Sequence, residues 1–229
     1  MPHATCLRVS PHSNCRDPFS RNLSVPNRRQ PVKVYDRKYF ERWYRHPRHR
    51  VSTQQDLTRK VRMAVSITEF LINRPIRSVL DVGCGEASWF PVLKRMRPDV
   101  RYVGIDSSEY VIERYGATRN IRFGTLATLG TMKSLRVSDL VVCADVLQYV
   151  DAAEAARGLR AIRRLVRGVA YIEAFTTEDT MIGDQAGWHK RTAAEYQRLF
   201  RRAGLTQCGP YCFVDLDELD TLTAFEHMR

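Results

Sequence analysis

The chain has 229 residues and a mass of 26.5 kDa, which suits one domain with or without a tail. Its hydrophobic content of 44% is ordinary for a globular protein and sufficient for a full core. No apolar run reaches the roughly 18 residues that a membrane-spanning helix needs. The first residues also lack an apolar segment with a small-residue cleavage site, so we expect neither a membrane span nor a secretory signal.

The formal net charge of +12 is concentrated at the front of the chain. Residues 1–62 hold 15 Lys or Arg and 4 Asp or Glu, whereas residues 63–229 hold 22 and 21. Such asymmetry suggests a basic arm that meets an anion, such as nucleic acid, an acidic lipid or an acidic substrate. For residues 1–30, an Arg-rich extension that is solvated and has no partner is an equal alternative.

The cysteines are scattered and form no C-x-x-C pair, which argues against a zinc site and against a disulfide framework. Those in apolar or glycine-flanked stretches behave as small buried hydrophobic residues. We therefore expect reduced thiols, no metal site and a cytoplasmic protein. The six cysteines are Cys6, Cys15, Cys84, Cys143, Cys208 and Cys212.

Composition divides the chain into three parts. Residues 1–33 are rich in Ser, Pro, Asn and Arg and show no hydrophobic period, so we expect a basic extension that is disordered or loosely attached. Residues 34–75 show two helical patterns and are predicted to form a helical N-terminal cap. Residues 76–229 alternate between strand-like and helix-like segments and are predicted to form the main domain.

The first helix of the predicted cap carries its aromatic residues at helical spacing from Tyr35 to Tyr44 and is expected to stop at Pro47. Aromatic residues interleaved with arginines can stack on bases, but packing on the body of the protein is the favoured interpretation. The second helix has Ser52 as its predicted N-cap, with Gln55 completing a capping box, and is expected to end at Pro75.

The main domain reads as repeated strand–helix units, which predicts a doubly wound and mostly parallel sheet with right-handed crossovers. Gly168 and Gly204 are expected to follow the ends of two of its helices. The runs 205–214 and 219–228 have little chain between them, so they are expected to pair antiparallel. The predicted strands before them are 76–82, 100–106, 120–124, 138–146 and 168–175, and the predicted helices are 87–96, 108–116, 151–166 and 192–204.

The stretch "SVLDVGCGEASWF" (78–90) ends a strand at two glycines that bracket a cysteine, directly before a helix. Glycines at that point allow a sharp turn and a close approach of the backbone to a ligand. The second strand ends at Asp106, 23 residues after Gly83, near the offset at which an acid receives ribose hydroxyl groups. The alternative is an ordinary turn in which the aspartate only caps the next helix.

The ligand is not predicted to be a dinucleotide. Such a site requires G-x-G-x-x-G, so that a pyrophosphate lies on the helix N-terminus. Here Ser88 stands in the place of the third glycine, and Glu86 would repel phosphate groups. These acidic surroundings suit a ligand with a positive centre and an amino group, and they make a nicotinamide-dependent reductase the weaker interpretation.

The segments "VLDVGCGEA", "YVGIDSS" and "SDLVVCADVLQYV" resemble the first, second and fourth motifs of class I S-adenosylmethionine-dependent methyltransferases. "YIEAF" and "AAEYQRLFRRAGL" are similar to the fifth strand and the following helix of that family. The resemblance implies a Rossmann-like methyltransferase fold, which is an α/β sheet of seven strands with an antiparallel C-terminal strand. It also implies S-adenosylmethionine as the cofactor.

The resemblance further assigns cofactor contacts. The glycine turn would lie along the methionine part, Asp106 would hold the ribose hydroxyls, and Asp145 would face both cofactor and substrate. Two positions depart from the family: Ala87 replaces a glycine, and Gly124-Thr125 stands where an acid often receives the adenine amino group. The cofactor-binding residues implied in this way are Asp81, Gly83, Cys84, Gly85, Asp106, Ser107, Thr125, Leu126, Asp145 and Val146.

Methyl transfer requires alignment of the nucleophile and exclusion of water, with a base where the nucleophile carries a proton. The candidate catalytic residues are Asp145, His189 and Glu173, with Tyr171 as an alternative base and Trp188 as a lid aromatic. We expect an O or N nucleophile on a small or medium organic molecule and no membrane partner. An RNA or protein methyltransferase that uses the basic N-terminal segment, and a non-catalytic binding protein, remain alternatives.

Overall fold

The structure is a computed structural model that describes residues 33–46, 48, 53–180, 183–217, 222, 223 and 226. Apart from Lys33, the predicted N-terminal extension lies outside the described residues, as do Pro47 and Ser52. No helix of this described part is long and apolar enough to cross a membrane. The α-helices are α1 (Arg37–Phe40), α2 (Gln54–Ile72), α3 (Trp89–Met96), α4 (Glu109–Arg119), α5 (Ala152–Leu165) and α6 (Ala193–Ala203).

The strands form one seven-stranded sheet in the order β3-β2-β1-β4-β5-β7-β6. The first five strands run parallel, and β7 pairs antiparallel with both β5 and β6. This arrangement confirms the predicted fold class. The strands are β1 (Ser78–Val82), β2 (Arg101–Asp106), β3 (Ile121–Phe123), β4 (Ser138–Ala144), β5 (Val166–Glu173), β6 (Thr206–Gly209) and β7 (Cys212–Val214).

The central strands are buried on both faces, which is the usual state of a parallel sheet covered by helices. All five residues of β1 are buried, and seven of the eight residues of β5 are buried. Two apolar clusters cover the two faces. One includes the α2 and α3 side chains, and the other includes those of α5 and α6. Within the described residues, the covered faces leave the ends of the central strands as the place for a ligand.

The capping box of α2 lies one residue later than the sequence analysis predicted. Thr53 is the N-cap, its hydroxyl accepts from the Asp56 N–H, and the Asp56 carboxylate accepts in return from Thr53. Gln55 lies inside the first turn. The predicted pair Ser52 and Gln55 and the observed pair Thr53 and Asp56 both have the three-residue spacing of a capping box. The spacing alone therefore could not show which pair caps the helix.

The aromatic helix of the cap is also shorter than predicted. Asp36 caps α1, and the chain continues from Glu41 to Arg45 as a π-helix. Phe40 is 2% exposed and stacks on Tyr110 of α4 with ring centroids 5.7 Å apart. The aromatic side of this helix packs on the main domain.

Gly168 does not follow the end of a helix, contrary to the prediction. Helix α5 ends at Leu165 and the chain enters β5 directly, so Gly168 is a strand residue. A Cβ atom at this position would lie 2.4 Å from the backbone oxygen of Asp139. The glycine is required because β4 and β5 come together closely there, at a register irregularity.

The antiparallel pair at the end of the sheet lies entirely within residues 205–214, where only its first strand was expected. Residues Gly209 to Cys212 turn the chain between β6 and β7, which makes a short hairpin. The run 219–228 falls mostly outside the described residues, and Leu222, Thr223 and Glu226 are not in strands. The antiparallel pairing was thus predicted, but its position was wrong.

Asp139 connects the cap to the start of β4. Its side chain is fully buried and accepts two hydrogen bonds from Arg74, at 2.7 and 3.1 Å, and one from the Arg77 N–H at 2.7 Å. Burial alone would raise the pKa of Asp139, but these hydrogen bonds and the charges of Arg74 and Arg167 outweigh it and lower the pKa to about 2. The ionised form therefore stabilises the fold.

We predict that Asp139→Asn lowers the free energy of unfolding by about 2–3 kcal/mol at neutral pH, since a lowered carboxyl pKa stabilises the ionised folded state. The stabilisation by the ionised Asp139 carboxylate is complete above the unfolded pKa of about 4 and is lost as the pH falls toward 2. Urea unfolding between pH 7 and 3 measures it, with the exposed Asp99→Asn as the control. Equal losses in both variants would contradict the role of Asp139.

Candidate active site at the carboxyl end of the sheet

A cavity of about 510 Å³ lies at the carboxyl ends of β1, β2, β4 and β5 and below the N-terminal cap. Its volume is within the usual range for small-molecule sites. It is lined by Tyr35, Tyr39, Phe40, Trp43, Tyr44, Thr53, Gln54, Leu57, Lys60, Asp81, Gly83, Cys84, Gly85, Ser88, Trp89, Asp106, Ser107, Gly124, Thr125, Leu126, Ala144, Asp145, Val146, Tyr149, Val150, Glu154, Glu173 and Phe175.

All ten residues predicted to bind the cofactor line this cavity, as do the catalytic candidates Asp145 and Glu173. The third catalytic candidate, His189, does not. Its side chain is exposed, and its backbone N–H donates to the carbonyl of Gln148 at 2.7 Å. Trp188 and Tyr171 are also absent from the lining.

The glycine turn after β1 is held against the end of β2. The backbone N–H groups of Gly83 and Cys84 both donate to the carbonyl of Ile105, at 2.8 and 3.1 Å. Gly83 has φ +68°, and a Cβ atom there would lie 2.3 Å from Cγ2 of Val146. The turn therefore requires glycine for its conformation and for its close contact with the segment after β4.

Asp106 ties the turn to the second strand. One carboxylate oxygen accepts from the Gly85 N–H at 2.7 Å, and the other accepts from the Ser108 N–H at 2.9 Å. Burial raises the pKa of Asp106, and these two N–H groups oppose that effect. The side chain is thus buried, oriented by the backbone and located at the cavity wall.

Asp81 is a second buried carboxyl group beside the turn. Tyr102 donates to it at 2.7 Å. Burial raises the pKa of Asp81 to about 7; the Tyr102 hydrogen bond opposes the rise and the Asp106 carboxylate adds to it. Two desolvated acids next to each other favour a bound cation, because a positive charge would relieve their repulsion.

The wall formed by the ends of β4 and β5 contains a polar network. Lys60 of α2 donates to Glu173 at 2.6 Å, and the Tyr171 hydroxyl donates to the other oxygen of Glu173 at 2.9 Å. Asp145 lies beside this pair, with its backbone N–H donating to the Glu173 carbonyl at 2.9 Å. Lys60 was not identified from the sequence. The hydrophobic period of α2 shows which side of the helix is buried, but it does not show which of its polar residues contacts Glu173, 113 positions later in β5.

Asp145 has the electrostatics of a proton acceptor. Desolvation by the surrounding protein and the nearby Glu173 carboxylate raise its pKa, Lys60 and Gln148 oppose the rise, and the resulting pKa is about 6, although Asp145 is open to the cavity. Its backbone has φ +59°, an uncommon conformation for a residue with a side chain and one that often marks a functional site. A carboxyl group with such a pKa is ionised at neutral pH and can still take up a proton.

The cap encloses the cavity with aromatic side chains. Tyr39 contacts Tyr35 and Phe40 edge to face, with ring centroids 5.0 and 5.4 Å apart. Lys33 fastens this segment to the opposite rim, with its ammonium 2.8 Å from Asp184 and 3.5 Å from the ring centroid of Tyr149. The aromatic spacing was visible in the sequence, but its location over the cavity was not.

Comparison with known proteins agrees with the motifs. Residues 80–168 match the family model described as a methyltransferase domain. No curated protein sequence matches the chain.

Three solved structures resemble the chain. The structure of DesVI from Streptomyces venezuelae has a TM-score of 0.56 and 13% identity, with coverage of 69% of this chain and 92% of that chain. A SAM-dependent methyltransferase from Archaeoglobus fulgidus has a TM-score of 0.54, 15% identity and coverages of 67% and 70%. The plantazolicin methyltransferase BamL, in complex with SAH and a triazolic desmethylPZN analog, has a TM-score of 0.53, 16% identity and coverages of 68% and 68%.

At these identities, the structural likeness shows the fold. The family match over residues 80–168 agrees with the resemblance to class I S-adenosylmethionine-dependent methyltransferases. The matched segment supports a methyltransferase, a class of enzyme for which S-adenosylmethionine is the cofactor.

We predict that Gly83→Ala lowers the free energy of unfolding by about 3 kcal/mol, because the new methyl group would overlap the stiff side chain of Val146. The control is Gly187→Ala, where φ is +75° and no described atom lies within 4 Å of the added Cβ. The control carries only the strain of a left-handed conformation, about 1 kcal/mol. Thermal or urea unfolding compares them, and equal losses would rule out the contact with Val146.

Proposed function

We propose that the protein transfers a methyl group from S-adenosylmethionine to an O or N nucleophile of a small or medium organic molecule. The observation that carries the proposal is the enclosed cavity in which the glycine turn, Asp106 and Asp145 meet. The family match supports the reaction class, and the chemistry of the cavity supports the class of acceptor.

The residues present fit the cofactor. Gly83 and Gly85 line the cavity and add no side chain of their own, so a ligand can approach their backbone closely. Two buried carboxyl groups suit a cationic ligand that also carries hydroxyl and amino donors. When bound, S-adenosylmethionine supplies a methyl group activated by the positive charge of its sulfonium.

We assign the turn residues Asp81, Gly83, Cys84 and Gly85 to the methionine part of the cofactor, because they form one continuous edge of the cavity. We assign Asp106 and Ser107 to the ribose. We assign Thr125, Leu126 and Val146 to the adenine, where Gly124-Thr125 replaces the acid often found in the family. The resemblance implies the same residues, and the cavity that they share supports the assignment.

We assign proton transfer to Asp145. Its carboxylate would accept the proton of the acceptor's hydroxyl or amino group. The Glu173 carboxylate has both oxygens engaged, by Lys60 and by Tyr171, so it is better suited to hold the Lys60 ammonium at the cavity wall than to act as a base. The aromatic cap would exclude water from the transfer.

The charge of the cavity favours a small organic acceptor over RNA. Among the described residues that line it, five are acidic and Lys60 is the one cation. A nucleic-acid phosphate would be repelled by this wall, whereas a neutral or basic organic molecule would be accepted. The division at residues 34 and 76 into cap and main domain, and a cytoplasmic location, stay predictions.

We predict that Asp106→Asn weakens S-adenosylmethionine binding by about 10- to 100-fold, because hydrogen bonds to a charged group contribute about 1.5–3 kcal/mol. Isothermal titration calorimetry measures the dissociation constant, and Glu113→Gln on the exposed side of α4 is the control. Since Asp106 also orders the glycine turn, the melting temperature of both variants is recorded. An unchanged affinity for the cofactor would refute the proposed site.

We also predict that turnover decreases as the pH falls through about 6, because Asp145 must be ionised to accept a proton. Asp145→Asn should lower the rate at least about 100-fold while cofactor binding persists. Lys60→Met should move the acidic limb to higher pH, since Lys60 opposes the rise of the Asp145 pKa. Release of S-adenosylhomocysteine from a panel of phenols, alcohols and amines measures these rates.

Cofactor binding without release of S-adenosylhomocysteine from any acceptor in the panel would favour the non-catalytic alternative. A pH profile that is flat between 5 and 8, in a variant series that still turns over, would exclude Asp145 as the base.

A further inference from the structure

A second cavity, of about 520 Å³, lies at the opposite end of the sheet. It opens where β1 and β2 begin, beside β3 and the segment that leads into β4. Helices α3 and α4 close it with their last turns. Its lining residues are Ser78, Val79, Leu80, Phe90, Lys94, Asp99, Val100, Arg101, Tyr102, Val103, Ala117, Thr118, Arg119, Asn120, Arg122, Ser134, Leu135, Arg136, Val137 and Ser138.

This second cavity is basic, whereas the catalytic cavity is acidic. Five of its lining residues are Lys or Arg, and Asp99 is the one acid among the described residues that line it. Residues 63–229 carry nearly equal numbers of acidic and basic groups, so a general excess of charge does not explain the cluster. The arrangement concentrates positive charge at one end of the sheet.

The cations of this cavity have no acidic partners within the described part of the chain. Ten ion pairs occur among the described residues, and none of them includes Lys94, Arg101, Arg119, Arg122 or Arg136. Cations that share one concave surface and lack counter-ions repel one another, and a bound anion would remove that cost.

Three arginines from neighbouring elements supply the free donors. Arg101 begins β2, Arg122 lies in the adjacent strand β3, and Arg136 precedes β4. Arg122 is oriented by Ser134, to whose hydroxyl it donates at 3.1 Å, and its remaining N–H groups are available. The side chains of Arg101 and Arg136 are exposed and make no hydrogen bond to another described residue.

The other two cations contribute less. Lys94 donates to the carbonyls of Pro98 and Val100 at 2.8 and 2.9 Å, so one of its three N–H groups remains. Arg119 donates to the carbonyl of Glu86 and lies over the ring of Tyr115 at 4.3 Å. Its guanidinium is therefore engaged elsewhere, and the three arginines with Lys94 define the site.

We propose that this cavity, here named the basic cavity, binds the phosphate groups of a polyanion through Arg101, Arg122 and Arg136. Guanidinium groups match phosphate oxygens in pairs, which favours phosphate over a single carboxylate. The hydroxyl of Ser134 adds a neutral donor at the same wall. The ligand is a nucleotide-sized polyphosphate or the backbone of single-stranded RNA, since both present the same chemistry.

The experiment compares two double variants of the full-length protein. Arg101→Gln with Arg136→Gln removes two charges from the basic cavity, and Arg198→Gln with Arg201→Gln removes two exposed charges from α6. Calorimetry with pyrophosphate tests a small polyphosphate, and fluorescence anisotropy with a labelled single-stranded RNA tests a nucleic-acid backbone. The affinity of each variant for each probe is measured at about 50 and about 200 mM salt, because phosphate binding depends steeply on salt.

We expect the basic-cavity variant to bind at least one of the two probes at least about 10-fold more weakly at low salt. For RNA, the slope of log affinity against log salt should fall by about 0.7 for each lost phosphate contact. The α6 variant should retain the affinity of the parent for that probe. Loss with pyrophosphate indicates a small polyphosphate, and loss with RNA alone indicates a nucleic-acid backbone.

The proposal is overturned if neither probe binds at low salt, or if the two variants lose affinity equally. Because basic residues 1–32 are present in every variant, RNA binding by that segment alone would leave both affinities unchanged and would also overturn it. Binding of S-adenosylmethionine is measured in parallel and is expected to be unaffected, so a failure here is distinct from a failure of the proposed methyl transfer.

Discussion

The site depends on the way in which the turn after β1 is fixed to the end of β2. The Gly83 and Cys84 N–H groups share the Ile105 carbonyl, and the Gly85 N–H donates to Asp106. These bonds bring the backbone to the cavity wall and orient a buried carboxylate beside it. The two strand ends depend on each other, because the backbone donors of the turn after β1 find their acceptors at the end of β2.

Burial of acidic groups is the second constraint, and it gives the cavity its chemical character. The pKa values of Asp81 and Asp145 are raised to about 7 and about 6, chiefly because the surrounding protein desolvates both carboxyl groups, although Asp81 is buried and Asp145 is open to the cavity. The fold tolerates them through specific donors, Tyr102 for Asp81 and the Gln148 amide near Asp145. The result is a cavity prepared for a cationic ligand and for removal of a proton.

The two ends of the sheet thus have opposite electrostatics. The carboxyl end collects five acids around one lysine, and the amino end collects five cations around Asp99. The separation follows from the positions of the charged residues, since acids lie at the carboxyl ends of β1, β2 and β5 and directly after β4, while Arg101 begins β2 and Arg136 precedes β4. This separation of charge would keep phosphate groups out of the cavity proposed for methyl transfer, while the basic cavity would bind them.

The sequence by itself determined the fold class and the place of the candidate site. Alternation of strands and helices gave the parallel order, and the turn with Asp106 at its offset located a cavity whose lining includes every predicted cofactor contact. These features are local, because each is set by residues close together in the chain. The capping box of α2, the end of α5 at Gly168 and the position of the last hairpin were placed wrongly, since alternative local patterns fit equally well.

Only the tertiary structure decided which distant side chains face the cavity. Lys60 reaches Glu173 across 113 positions, the aromatic cap lies over the glycine turn, and His189 is exposed and does not line the cavity. The basic cavity likewise brings together residues from β2, β3 and the segment before β4. Such contacts depend on how helices pack on the sheet, and the hydrophobic period of a helix fixes its buried side without specifying which strand its polar residues meet.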